Sequence, residues 1–163
     1  MPQTYTPIAT TTLGSAANSV TFSSIAGTYT DLIMVSAVKL DITGAYAMGM
    51  QFNSDTGANY SFTYVIGTGS VAASNRGTAQ TYAVYGNGDT DWGNSLVSIQ
   101  NYSNATTFKT CIARNNNTNN SAQAYVNLWR NTAAITSIKV MSQSGSNFVT
   151  GSTFTLYGIK QFT

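Results

Sequence analysis

The chain has 163 residues, 42% of them apolar but only 7% charged, and a net charge of +2. That length suits one domain with a sizeable core, and disorder is excluded because it needs low hydropathy together with high net charge. The basic residues are scattered singly, which leaves no electrostatic footprint for nucleic acid, and no apolar run approaches the roughly 18 residues of a membrane-spanning helix. Charged residues usually make up about a quarter of a chain. Here Ser, Thr, Asn, Gln and Gly carry the polar share, which suits a particle subunit whose faces are covered by neighbours and suits equally a bland β domain. Residues 1–15 show neither the charged nor the apolar region of a signal peptide. The single Cys111 excludes an intrachain disulfide and, within the strand-like run Phe108–Ala113, reads as a small buried apolar residue.

The elements follow in order. Residues 4–13 (TYTPIATTTL) read as an extended arm or edge strand, because Pro7 lacks the amide donor that a central strand needs. Val20–Ile25 is a short strand, and Asp31–Leu40 is the strongest one. Leu32, Met34, Ser36, Val38 and Leu40 share one of its faces, while Ile33, Val35 and Ala37 share the other. Apolar residues on both faces point to a strand covered on both sides or lying at a subunit contact. Ala45–Phe52 and Tyr60–Ile66 alternate across the Asn53–Asn59 loop and read as an aromatic-paired hairpin. Gly67–Ala79 reads as a long Gly/Ser/Ala loop, Thr81–Tyr85 as a short strand and Gly86–Gly93 as a turn region. Ser95–Tyr102, Thr107–Ala113, Ala122–Arg130, Ile135–Met141 and Thr153–Ile159 complete about ten strands, with Asn-rich Arg114–Asn120 as a loop.

No helix and no internal repeat is visible. The fold class is therefore all-β, a two-sheet antiparallel jelly-roll-like β-sandwich. Residues 1–13 form its arm or edge strand and residues 14–163 a single domain. The expected core is Val20, Phe22, Leu32, Met34, Val38, Met50, Phe52, Phe62, Ile99, Ile112, Val126, Leu128, Ile138, Phe154 and Leu156. A chain that ends on a strand usually inserts it between earlier ones, so Thr153–Ile159 should lie inside a sheet.

Chemistry is hard to find. There is no His and no Glu, which removes the commonest general base and metal ligand. The acids are Asp31, Asp41, Asp55, Asp89 and Asp91, each at a strand start or in a turn where Asp serves the backbone. The expectation is a protein that is not an enzyme, with no catalytic residue and no cofactor. GNGDTDWGN (86–94) offers Asn87, Asp89 and Asp91 to Ca²⁺ but lacks the further acid such loops supply, so no metal is expected. Trp92 beside that turn could anchor a subunit interface, pack in the core, or stack a sugar ring with Asp89 and Asp91 alongside. Trp129 faces either the second layer or a neighbouring subunit.

Several phrases carry a resemblance. NTAAITSIKV, then GSNFVTGS, then TFTLYGIK close the sequence, and VTFSSIAGTYTDL (20–32) and QFNSDTGANYS (51–61) precede them. In this order they resemble small β-sandwich virion proteins of tailed bacteriophages, of the capsid decoration (cement) or fibre type. The phrases span most of the chain and are strand-and-turn segments rather than catalytic motifs. The resemblance implies a structural virion protein on the capsid exterior, made in the host cytoplasm. It would clamp neighbouring copies of the phage major capsid protein and associate with itself as a homotrimer. The alternative is a tail or head fibre module that recognises a host surface glycan. No long shaft precedes the β domain, which favours decoration over a fibre. The expected interface residues are Met1, Tyr5, Pro7, Ile8, Trp92 and Trp129, with residues 1–13 reaching a neighbour or the shell. The expected glycan residues in the alternative are Trp92, Asp89 and Asp91.

Overall fold

A computed structural model describes residues 4–117 and 121–160. They form twelve strands, β1 (Tyr5–Thr12), β2 (Ser19–Phe22), β3 (Asp31–Val38), β4 (Tyr46–Phe52), β5 (Tyr60–Gly67), β6 (Ala72–Gln80), β7 (Ala83–Gly88), β8 (Gly93–Gln100), β9 (Lys109–Asn117), β10 (Ser121–Trp129), β11 (Ile138–Ser142) and β12 (Thr153–Ile159). A large sheet of eight strands in the order β1-β12-β3-β8-β9-β10-β5-β6 packs on a small sheet of four in the order β2-β11-β4-β7. Every pairing is antiparallel. The fold is the two-sheet antiparallel β-sandwich expected from the alternation. β12 lies between β1 and β3, so the closing strand is internal as read from the sequence.

The core fills the space between the sheets. Leu32, Met34, Val97, Ile99, Phe154 and Leu156 of the large sheet meet Val20, Phe22, Met48, Met50, Phe52, Ile138 and Val140 of the small one, all buried. Three expected core residues are misplaced. Ile112 and Val126 are exposed at 45% and 55%, and Leu128 is only half-buried. β9 and β10 turn their other phase inward: Lys109, Cys111, Ala113, Asn115 and Asn117, and Ser121, Gln123, Tyr125, Asn127 and Trp129. The inward amides are used. β7 is the free edge of the small sheet, and Asn127 and Asn115 bond its main chain at Val84 and Asn87. Gly86 lets Asn115 come close, since a Cβ there would lie 2.4 Å from the Asn115 side chain. Phe62 is half-buried against the core edge.

Other differences have local causes. Gly67–Ala79 is not a loop throughout, because β6 pairs with β5 along Ala72–Gln80. Its small polar residues have low strand propensity, and the free edge of β5 supplies the hydrogen bonds that the pattern does not advertise. The Asn-rich run continues β9 as far as Asn117, held between β8 and β10. The remainder of that expected loop lies outside the described residues. β4 and β5 are not a hairpin, because β4 pairs with β11 and β7 while β5 pairs with β10 and β6. Residues 53–59 turn the corner between the sheets, and the Phe52 N–H donates to the Tyr60 hydroxyl across that corner at 3.0 Å. β1 is an edge strand folded back on β12, with a bulge between Pro7 and Ala9, so this segment pairs within its own sheet.

Candidate functional site

The outer face of the large sheet carries apolar side chains that the interior does not explain. Strict alternation places Val35 of β3, Leu96 of β8, Ile112 of β9, Ala124 and Val126 of β10 and Val65 of β5 outward. Register makes them neighbours. Val35 pairs with Leu96, Leu96 with Arg114, Arg114 with Ala124 and Ala124 with Val65. In the adjoining row Ile112 pairs with Val126. Five strands at about 4.8 Å spacing make this row about 20 Å wide. Val35, Val65, Ile112 and Val126 are 39%, 57%, 45% and 55% exposed. Among the described residues Arg114 is the cation set between them, and Arg76 stands at the β6 edge opposite Thr63. A contiguous apolar patch of this kind, crossed by few charges, marks a surface that meets another surface.

The expected interface residues are dispersed around this patch. Tyr5 is 54% exposed on β1, its ring edge-on to Tyr157 with centroids 6.4 Å apart. Pro7 is exposed and Ile8 packs partly against the core. Met1 lies outside the described residues. Trp92 is 45% exposed in the β7–β8 loop, close to Gly151. Trp129 requires a correction, because it is 1% exposed and faces the second layer. Its ring stacks on Tyr60 at 6.2 Å and meets Phe52 at 5.5 Å, and its indole N–H donates to Asp55 Oδ2 at 2.7 Å.

Asp55 is a structural carboxylate. Burial works against its charge, but donors from Trp129, Asn59 and Gly57 together hold its carboxyl below the usual value. Asp89, a candidate sugar contact, is buried at 5% exposure, and its Oδ1 accepts the Asp91 N–H at 2.7 Å. It closes a local turn, so the Trp92 loop does not present Asp89 to a sugar. Among the described residues no group of three or more His, Cys, Asp or Glu could hold a metal ion. Cys111 is buried, and burial pushes its thiol up to about 12. Lys109 is buried with its ammonium on the Thr107 and Thr132 carbonyls at 2.7 and 3.0 Å, and burial lowers its pKa.

Ile112 and Val126 are interface candidates that reading the sequence assigned to the core. The signal against that assignment lay in AQAYVNLWR itself, where the largest rings, Tyr125 and Trp129, occupy the opposite phase from Val126.

No protein-family model matches the chain, and no curated protein matches it. Among solved structures it is similar to a mutant of the alginate lyase Aly36B in complex with alginate tetrasaccharide. That alignment has a TM-score of 0.36 and 10% identity, over 94% of this chain and 82% of the other. A second Aly36B mutant, in complex with alginate trisaccharide, gives 0.34 and 9% over 94% and 80%. These neighbours are enzymes, so the expectation that the chain is not an enzyme is withdrawn as a correction. At such scores the likeness carries no argument for lyase chemistry in this chain.

Proposed function

We propose that the chain is a structural subunit of a tailed-phage particle, a capsid decoration protein seated on the shell or on its own copies through the outer face of the large sheet. The observation that carries this reading is the apolar face of Val35, Val65, Ile112 and Val126, with Arg114 as its central charge. Its support from sequence is the run of phrases that resemble small β-sandwich virion proteins, together with the low charge content. A broad sheet face with few charges buries area without the desolvation of many ions, which suits a permanent contact more than a transient one. The partners on this reading are the major capsid protein and further copies of the chain in a homotrimer, on the capsid exterior.

Co-sedimentation of the purified chain with particles that lack it tests the reading. Saturable binding at a fixed ratio to capsid protein is expected. Binding to host cells but not to capsids would move the chain to a fibre. A mass measurement tests the trimer separately, and a stable monomer at micromolar concentration that still saturates the capsid would exclude it.

A further inference from the structure

We infer that the chain carries a neutral-sugar site in the cleft where the large sheet overhangs the free edge of the small one. β5 lies beyond β10 in the large sheet, and β7 is the last strand of the small sheet. The inner face of β5 therefore passes the β7 edge and leaves a cavity of about 220 Å³ there. One wall is Phe62, Tyr64 and Tyr125, and the other includes Ala47, Tyr82 and Asn87.

The first wall is a fixed aromatic platform. The Tyr64 and Tyr125 rings lie 5.2 Å apart, with Phe62 at 6.1 and 6.4 Å from them. The Tyr125 hydroxyl donates to Gln123 Oε1 at 2.7 Å, which locks that ring in place. On the facing wall Tyr82 is seated over Gly49, where a Cβ would stand 2.9 Å from its ring. Among the described residues nothing pairs with the Asn87 side-chain amide or with the Tyr64 and Tyr82 hydroxyls. Among the described residues no charged side chain lines the cavity.

This lining selects a ligand class. A sugar ring offers an apolar C–H face to an aromatic ring and hydroxyls, each both donor and acceptor, to an amide and phenols. A charged ligand finds no counter-charge here, and a purely apolar one would strand the Asn87 amide. The volume lies below the roughly 300–1,000 Å³ of drug-sized pockets, so the site takes a single terminal unit of a glycan. The site is distinct from the Trp92 loop, and it does not depend on where on a particle the chain sits.

The test is an NMR titration of the full chain with methyl glucoside, galactoside, mannoside and N-acetylglucosaminide, with methyl glucuronide as the charged counterpart. At least one neutral glycoside should shift the Tyr64, Tyr82 and Asn87 signals, and the glucuronide should bind more weakly than the glucoside. Tyr64→Ala should weaken binding by about tenfold, as one lost stacking contact allows. Asn87→Asp, which keeps the shape of the side chain, should weaken it comparably and so guards against a folding defect in the first variant. Silence across the neutral set, shifts confined to the Trp92 loop, glucuronide binding as tight as glucoside, or affinity unchanged in both variants would each overturn the site.

Discussion

The side chain of Asn127 forms a two-bond ring with the main chain of Val84. Its Oδ1 accepts the Val84 N–H at 2.9 Å and its Nδ2 donates to the Val84 carbonyl at 2.9 Å. Asn127 is 1% exposed on the inner face of the large sheet, and Val84 sits on the open edge of the small sheet. An edge strand buried against another layer would leave its main-chain groups unsatisfied. The amide supplies the donor and acceptor that a neighbouring strand would have given. Asn127→Ala should therefore orphan two buried groups and cost about 2–6 kcal/mol, at about 1–3 kcal/mol for each. Urea unfolding measures this, and the outward Asn116→Ala, by contrast, should change stability by less than about 0.5 kcal/mol.

That pair also shows where sequence reading reaches and where it stops. The period-two runs revealed the all-β class, the internal closing strand and eleven of the fifteen expected core residues, from Val20 to Leu156. Hydropathy failed in β9 and β10, because it ranked Ile112 and Val126 above Asn115 and Asn127. The amides point inward because an edge strand in the other sheet needs partners, and that need is invisible until the sheets are paired. β6 escaped for a related reason, since its strand character comes from β5 and not from AASNRGTAQ. Of the candidate interface residues, Tyr5, Pro7 and Trp92 are exposed. The apolar patch is only half legible: the alternation of Asp31–Leu40 sets Val35 on a second apolar face, whereas hydropathy assigns Ile112 and Val126 to the core.

The inverted phase is itself testable. Leu156→Ala should cost about 2–5 kcal/mol, as for a buried leucine in an internal strand. Ile112→Ala and Val126→Ala should each cost less than about 1 kcal/mol, because their side chains face outward. Equal losses in thermal or urea unfolding would place Ile112 and Val126 back in the core.

The Asp55 cluster predicts an acid limb. Hydrogen bonds hold the folded carboxyl below the ordinary carboxylate value of 3.8, so between the two pKa values the unfolded chain binds more protons. The stabilisation is present above that value and is lost as pH falls through the folded one. Asp41 is held low by Asn147 as well, so the contrast with Asp55→Asn isolates the Asp55 share. The variant should be less stable at neutral pH and lose less on acidification. A wild-type acid limb that matches the variant's would remove Asp55 from this role.

Cys111 predicts the alkaline limb. Its folded thiol is pushed up to about 12 by burial from an ordinary value of 9.0, so the folded chain holds a proton that the unfolded chain releases in between. Stability is full below 9.0 and falls as pH rises through that window. Burial raises Tyr60, Tyr85 and Tyr125 also, which steepens the fall. A thiol reagent at neutral pH should leave the native chain unmodified and label it on unfolding. Rapid labelling of the native chain would show that Cys111 is accessible.

Lysines on the outer sheet test its role in attachment. The double variant Ile112→Lys and Val126→Lys should fold with a similar melting temperature, because both side chains already reach solvent. Desolvating two new charges should abolish its co-sedimentation with particles or its self-association. Normal saturation of the capsid by this variant would exclude the outer face as the contact.

Cryo-electron microscopy of the intact particle tests the central claim most directly. The expected density is the twelve-stranded sandwich on the outside of the shell, with Val35, Val65, Ile112 and Val126 turned into a protein contact. Density for the chain only at the tail tip, or on the shell with that face bare to solvent, would contradict it.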